Sequence, residues 1–342
     1  AVYNGGSGTI LIEGGTLEAT GDSSRVIYNS STGTIIINGG IVSSNAQYEG
    51  RAIQNASNGS IVIKDGVVEN VATFGTTAIY NYADGTVTVT GGTVKSTGNV
   101  TSAIYNYSTG TIKVSGGNLI TTNGSNSNTI VNSSTGLTDI CGGNILAMQG
   151  NAILNSSSGS IKVSSGTVSA IIGYAICNNS IGTIDVTNGE ILTTTGLAIY
   201  NVSTGKVNIS GGKVSAETGY AIYNNSTGYI AISGSATITS AKPNEDRGTI
   251  FLVKVPTTEA KTILTIADTA TVENTAEPEG YSVYFYDTGV TSDNLNDYYT
   301  QNEDADVGRV HPAPAKKVVE ITTGNITTGY ASLAKAVEAA ND

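Results

Sequence analysis

Apolar residues recur in this chain on two scales. Segments such as TIII (34–37), SIVI (60–63) and TVTV (86–89) place aliphatic side chains two apart, the period of a strand with one buried face. On the longer scale a tetrad around AIYN returns with its Asn at 4, 29, 55, 81, 106, 132, 155, 178, 201 and 224, in steps of 25 or 26 and finally of 23. A Gly follows each of these Asn residues by four positions, then the TIxI segment, then a second turn such as Gly39-Gly40 or Gly116-Gly117, then a short apolar element such as IVS or TVK. Each repeat therefore predicts three short strands, and self-similarity at this period predicts stacked units.

The inward positions can be assigned. The first strand supplies nine consecutive isoleucines, Ile27, Ile53, Ile79, Ile104, Ile130, Ile153, Ile176, Ile199 and Ile222. The second and third strands supply matching files, among them Ile37, Ile63, Val89 and Val114, and Val42, Val68, Val94 and Leu119. One repeat cannot bury its apolar side alone, whereas stacking at ~4.8 Å makes each file a continuous column. An inward Asn at a bend satisfies turn backbone groups and bonds to the next Asn along the stack, so Asn29, Asn55, Asn81, Asn106, Asn132, Asn155, Asn178, Asn201 and Asn224 are expected to form a ladder. The Gly files mark bends that need positive φ or close backbone approach. These columns, over about residues 1–270, resemble the right-handed parallel β-helix family, the pectate-lyase-like superfold. The expected fold is all-β, a single-stranded solenoid of three short strands per rung and about eleven rungs.

Outward positions carry the candidate chemistry. The middle position of the second strand reads Lys113, Asp139, Lys162, Asp185 over four rungs and predicts a cross-rung charge ladder, with Glu69–Lys95 and Glu190–Lys213 similarly placed. Beside the buried Ile lie Tyr28, Tyr80, Tyr105, Tyr200 and Tyr223, and Tyr82 and Tyr107 add ring area next to two of them. These rings either stack as strand residues do or form a platform for sugar rings or a protein partner. Cys141 and Cys177, two rungs apart on different strands, are too distant for a disulfide. The Asn-x-Ser/Thr triplets at Asn29, Asn55, Asn132, Asn155 and Asn201 follow from the ladder and turn chemistry rather than from glycosylation.

The period breaks beyond Ala241. TILTIADTATVE (262–273) predicts one further rung after an insertion at 243–261, closing a repeat domain over 1–275. The five Tyr and one Phe between 281 and 300 predict a C-terminal cap over 276–312. HPAPAKK (311–317) has linker composition, and 313–342 reads as a linker, two short strands and an amphipathic helix that starts a following module. YASLAKAVEAA resembles the helix that opens many β-helix proteins, which implies a larger modular chain. Glu303, Asp304 and Asp306 offer oxygen ligands for calcium without the spacing of a calcium loop.

Composition narrows the function. With 16 Lys and Arg and a net charge of −11 among 342 residues, no cationic footprint for nucleic acid exists. No apolar run reaches the ~20 residues of a membrane span. One His and two Cys leave little for zinc or His-based catalysis. Lyase or hydrolase chemistry needs clustered carboxylates, and in the repeat region no outward position stacks two acids in successive rungs. No cofactor is therefore expected beyond that calcium. The resemblance implies secretion or display on a bacterial cell surface. The reading is a non-catalytic extracellular adhesin or spacer whose partner is a polysaccharide, a host or cell-surface glycan, or a protein. The alternatives are a carbohydrate-binding module or a polysaccharide-lyase-like protein using the exposed Tyr ladder.

Overall fold

Each AIYN tetrad lies on a strand that pairs in parallel with the tetrads of the coils before and after it, Ile27 opposite Ile53 and Asn29 opposite Asn55, then Ile53 opposite Ile79 and Asn55 opposite Asn81. The structure, a computed structural model, describes residues 2–241, 248–257, 261–276, 280–287, 289–311, 319–323 and 326–330. It is an all-β parallel solenoid of about 12 turns, 1% helical. The stacked parallel strands are consistent with the right-handed β-helix expected. The nine isoleucines are all fully buried, in one core with the aliphatic files of the other two strands.

The ladder forms over its whole length. Nδ2 of Asn81 donates to Oδ1 of Asn106 at 2.8 Å and to the carbonyl of Gly85 at 2.6 Å, and the same pair of bonds recurs from Asn55, Asn106, Asn155, Asn178 and Asn201. Two kinds of glycine accompany it. At Gly85 the backbone is ordinary but crowded: a Cβ would lie 2.0 Å from the carbonyl oxygen of Gly59 and 2.2 Å from Asn55 Nδ2. At Gly92 the backbone itself turns left-handed, with φ of 67°.

The coil is less segmented than its sequence suggests. Second and third strands run together across the glycine turn as Thr34–Ser44, Ser60–Asn70 and Ile112–Thr121, with a register shift at the turn instead of a break. Residues after the 262–273 rung also keep the parallel pairing: Tyr281–Phe285 lies on Gly248–Leu252, Tyr299–Gln301 on Leu264–Ile266, and Val310–His311 on Val283–Tyr284. These account for the extra turn. Beyond them Val319–Thr323 and Ile326–Tyr330 form an antiparallel hairpin. The helix expected after it, and most of HPAPAKK, lie outside the described residues.

Register places Lys113, Asp139, Lys162 and Asp185 side by side as expected, but the predicted charge ladder does not close there. Among the described residues ion pairs form at Glu69–Lys95, 2.7 Å, and Lys261–Asp297, 3.4 Å. Glu190 and Lys213 are likewise in register without an ion pair. Long side chains standing parallel on an exposed face gain too little in water to fix one geometry.

Candidate functional site

The step change in the repeat marks a corner of the coil. Ile79 follows Val68 by 11 positions, whereas Ile176 follows Val168 by 8. The three extra residues sit between the third strand of one coil and the first strand of the next. Early coils therefore carry longer turns at 45–50, 71–76, 97–101 and 122–127, whereas the four connections leading to Ile153, Ile176, Ile199 and Ile222 are short. Tyr48, Phe74 and Val100 stand exposed on three of them. Glu49, Gly75, Thr76, Val100, Thr101 and Asn126 from these turns form one wall of a groove of about 420 Å³. Tyr48, Glu49 and Val100 hold positive φ. For Val100, at 55°, that is a strained backbone for a β-branched side chain.

The floor comes from the outward file of the first strands, Tyr80, Tyr105, Val131 and Leu154, with Ser102, Asn128, Ser133 and Ser156 beside it. Tyr80 and Tyr105 stack with centroids 5.3 Å apart and planes at 14°. Tyr82 and Tyr107 stack alongside at 5.3 Å and 1°. The opposite face of Tyr80 is covered by the Arg51 guanidinium from the preceding rung, 3.9 Å from the ring centre. With one neighbour on each side along the stack, the Tyr80 ring stands on edge, its faces pointing along the coil axis. It is thus no flat platform. The stack ends at Tyr105, where the file drops to the shorter Val131 and Leu154, so the far face of Tyr105 forms a step within the groove floor. Ser133 Oγ donates to the Tyr105 hydroxyl at 2.8 Å and fixes that ring.

On the other side of Tyr80 the file is interrupted by Gln54. Its Oε1 accepts from Arg51 at 2.7 Å and also from Arg25 Nε. Arg25 in turn lies 5.4 Å from the Tyr28 ring centre, so Tyr28, which stacks on Tyr3, is separated from the groove. Burial pulls the Arg51 guanidinium below its ordinary pKa. Burial also pushes the Tyr80 phenol up, partly offset by the Arg51 charge.

Tyr200 and Tyr223 belong elsewhere. Val131, Leu154 and Cys177 separate them from Tyr105. They begin a second aromatic file that runs through Phe251 and Tyr284, with Tyr220, Phe251 and Tyr284 buried in one cluster. Of the seven candidate tyrosines, Tyr80 and Tyr105 line the groove, and Tyr82 and Tyr107 stack beside them without lining it. Cys141 and Cys177 are both free thiols, and burial pushes the Cys177 thiol up to about 12. The sequon asparagines Asn29, Asn55, Asn132, Asn155 and Asn201 are fully buried. Glu303 and Asp304 lie on the turn after Tyr299–Gln301 and Asp306 begins the next strand; among the described residues no group of three or more His, Cys, Asp or Glu side chains is arranged to hold a metal. No helix among the described residues is long and apolar enough to cross a membrane.

Sequence reasoning found the tyrosines but missed the wall and the role of Gln54. The fall from 26-residue to 23-residue steps was the available signal for the wall. No protein-family model, curated protein or solved structure matches the chain.

Proposed function

We propose that this chain is a non-catalytic extracellular rod of the adhesin type, and that its contact surface is the groove stepped at Tyr105, which takes a carbohydrate chain laid along the coil axis. One observation carries the reading: the aromatic file stops at Tyr105 and continues at lower height as Val131 and Leu154 inside the groove. A sugar ring seated there meets an aromatic face at one end and an aliphatic floor, the amphipathic surface that pyranose C–H faces require. Ser102, Asn128, Ser133 and Ser156 supply neutral donors and acceptors for its hydroxyls.

The absence of catalysis is inferred from the lining. Among its described residues Glu49 is the one carboxylate, and glycosidic hydrolysis by the usual route needs two facing each other. Extracellular display is supported by the resemblance of the repeats to bacterial surface proteins and by an outward face rich in Ser, Thr and Asn.

A glycan array followed by titration calorimetry on the best binder tests the reading. Tyr105→Ala is expected to weaken binding at least tenfold, and Tyr223→Ala, in the second aromatic file, to leave it unchanged. An array on which the wild-type chain binds no glycan would leave the rod as a spacer and remove the groove from consideration.

A further inference from the structure

The outward file of the second strands has a symmetry that the coil itself does not use. From one end to the other it reads Leu11, Ile36, Val62, Thr88, Lys113, Asp139 and then Lys162, Asp185, Asn208, Ala231, Thr265, Thr300, each in parallel register with the next. Every member is at least partly exposed. The four central charges run positive, negative, positive, negative, and reversed they run negative, positive, negative, positive. We propose that this face is the contact surface for a second copy of the same chain, packed antiparallel across a two-fold axis midway between Asp139 and Lys162.

That axis sets Asp139 of one copy opposite Lys162 of the other, and Lys113 opposite Asp185, so all four charges meet opposite charges twice over. The match continues outward. Thr88 meets Asn208, Val62 meets Ala231 and Ile36 meets Thr265, with polar on polar at the inner pair and aliphatic or methyl-bearing side chains further out. An isologous contact requires this kind of self-complementarity. Within one chain the charges are left available, since none of them closes an ion pair among the described residues, the Asp185 carboxylate accepting instead from Asn208 Nδ2 at 2.7 Å. A groove of about 370 Å³ runs beside Asp139, Lys162 and Asp185 and gives the facing side chains room to enter. The file has zero net charge although the chain carries −11, so bringing two copies together adds no local repulsion. At ~4.8 Å per rung the file is ~50 Å long, enough to cover the ~600 Å² per partner found at the low end of specific interfaces. The expected dimer is weak and salt-sensitive.

Sedimentation equilibrium of the chain at low and high salt, with charge variants, tests the proposal. The wild type is expected to dimerise at low salt and dissociate as salt rises. Lys162→Glu places like charges opposite each other at two symmetry-related points and is expected to weaken the dimer at least tenfold. The exchange Asp139→Lys with Lys162→Asp preserves opposite charges across the axis while placing like charges on neighbouring rungs of one chain, and is expected to restore dimerisation. Circular dichroism and melting midpoints confirm that each variant is folded. A wild type that stays monomeric at high concentration in low salt overturns the proposal, as does a dimer indifferent to Lys162→Glu, or an exchange variant that folds but stays monomeric.

Discussion

The Arg51 guanidinium lies 3.9 Å from the centre of the Tyr80 ring and donates to Gln54, the residue that interrupts the aromatic file. The cation thus caps one end of the stack whose other end is Tyr105. Because the Arg51 charge lowers the Tyr80 pKa while burial raises it, Arg51→Met is expected to move the Tyr80 phenol further upward. Site-resolved carbon NMR of the tyrosine ring follows the titration; an unchanged or lower value would show that the cation does not act on the ring.

The ladder should behave as a cooperative element. Nδ2 of Asn106 donates to the carbonyls of Ser108 and Gly110 at 2.7 Å each and to Asn132 Oδ1 at 3.1 Å, and its own Oδ1 accepts from Asn81. Asn106→Ala strands several buried groups, at ~1–3 kcal/mol for each one left unsatisfied. A loss of about 3 kcal/mol in urea unfolding is expected, against less than about 1 kcal/mol for a surface change such as Thr88→Ala.

Close approach rather than dihedral angle explains the glycine four residues after each ladder Asn, and the first coil provides the control. At Gly8 a Cβ would meet nothing within 4 Å, whereas at Gly85 it would overlap the Gly59 carbonyl. Gly8→Ala should leave the melting midpoint nearly unchanged. Gly85→Ala should lower stability by ~3 kcal/mol, as overpacking against rigid backbone does.

Val100 is strained and exposed at the groove wall. Val100→Gly relieves a backbone conformation costing ~1–3 kcal/mol and is expected to raise thermal stability, while removing an apolar contact from the wall and weakening whatever the groove holds. A fall in stability would assign the conformation to some other constraint.

Cys177 is buried and donates to Asn179 Oδ1 at 3.2 Å, while Cys141 is half-buried. With the Cys177 pKa raised from 9.0 to about 12, the folded state holds that proton more tightly than the unfolded one. Its contribution to stability is complete below pH 9 and disappears as pH rises toward 12. Cys177→Val should flatten the decline of the urea midpoint over that window. At pH 8 a thiol reagent should label Cys141 first.

Strand order, core and ladder were legible because stacking repeats one demand in every coil: Ile79 and Asn81 meet the same environment as Ile104 and Asn106, so ten copies report one structure. The groove was less legible because it arises where coils differ. Gln54 replaces a tyrosine without altering the strand, and its meaning depends on Arg25 and Arg51 reaching it from neighbouring positions. The drop from Tyr105 to Val131 reads in sequence as a lapse in the tyrosine file; in three dimensions it is a change in surface height. The charge file was placed correctly but its ion pairs were not, since register fixes backbones and leaves long exposed side chains free.

Three residues added at one corner separate a smooth coil from one that bears a wall. The Asn and Ile columns, which hold the rod together, pass that corner without changing register. Insertions or deletions there would lengthen, shorten or reshape the working surface while the supporting spine stayed constant, so this architecture can acquire new contacts without renegotiating its own stability.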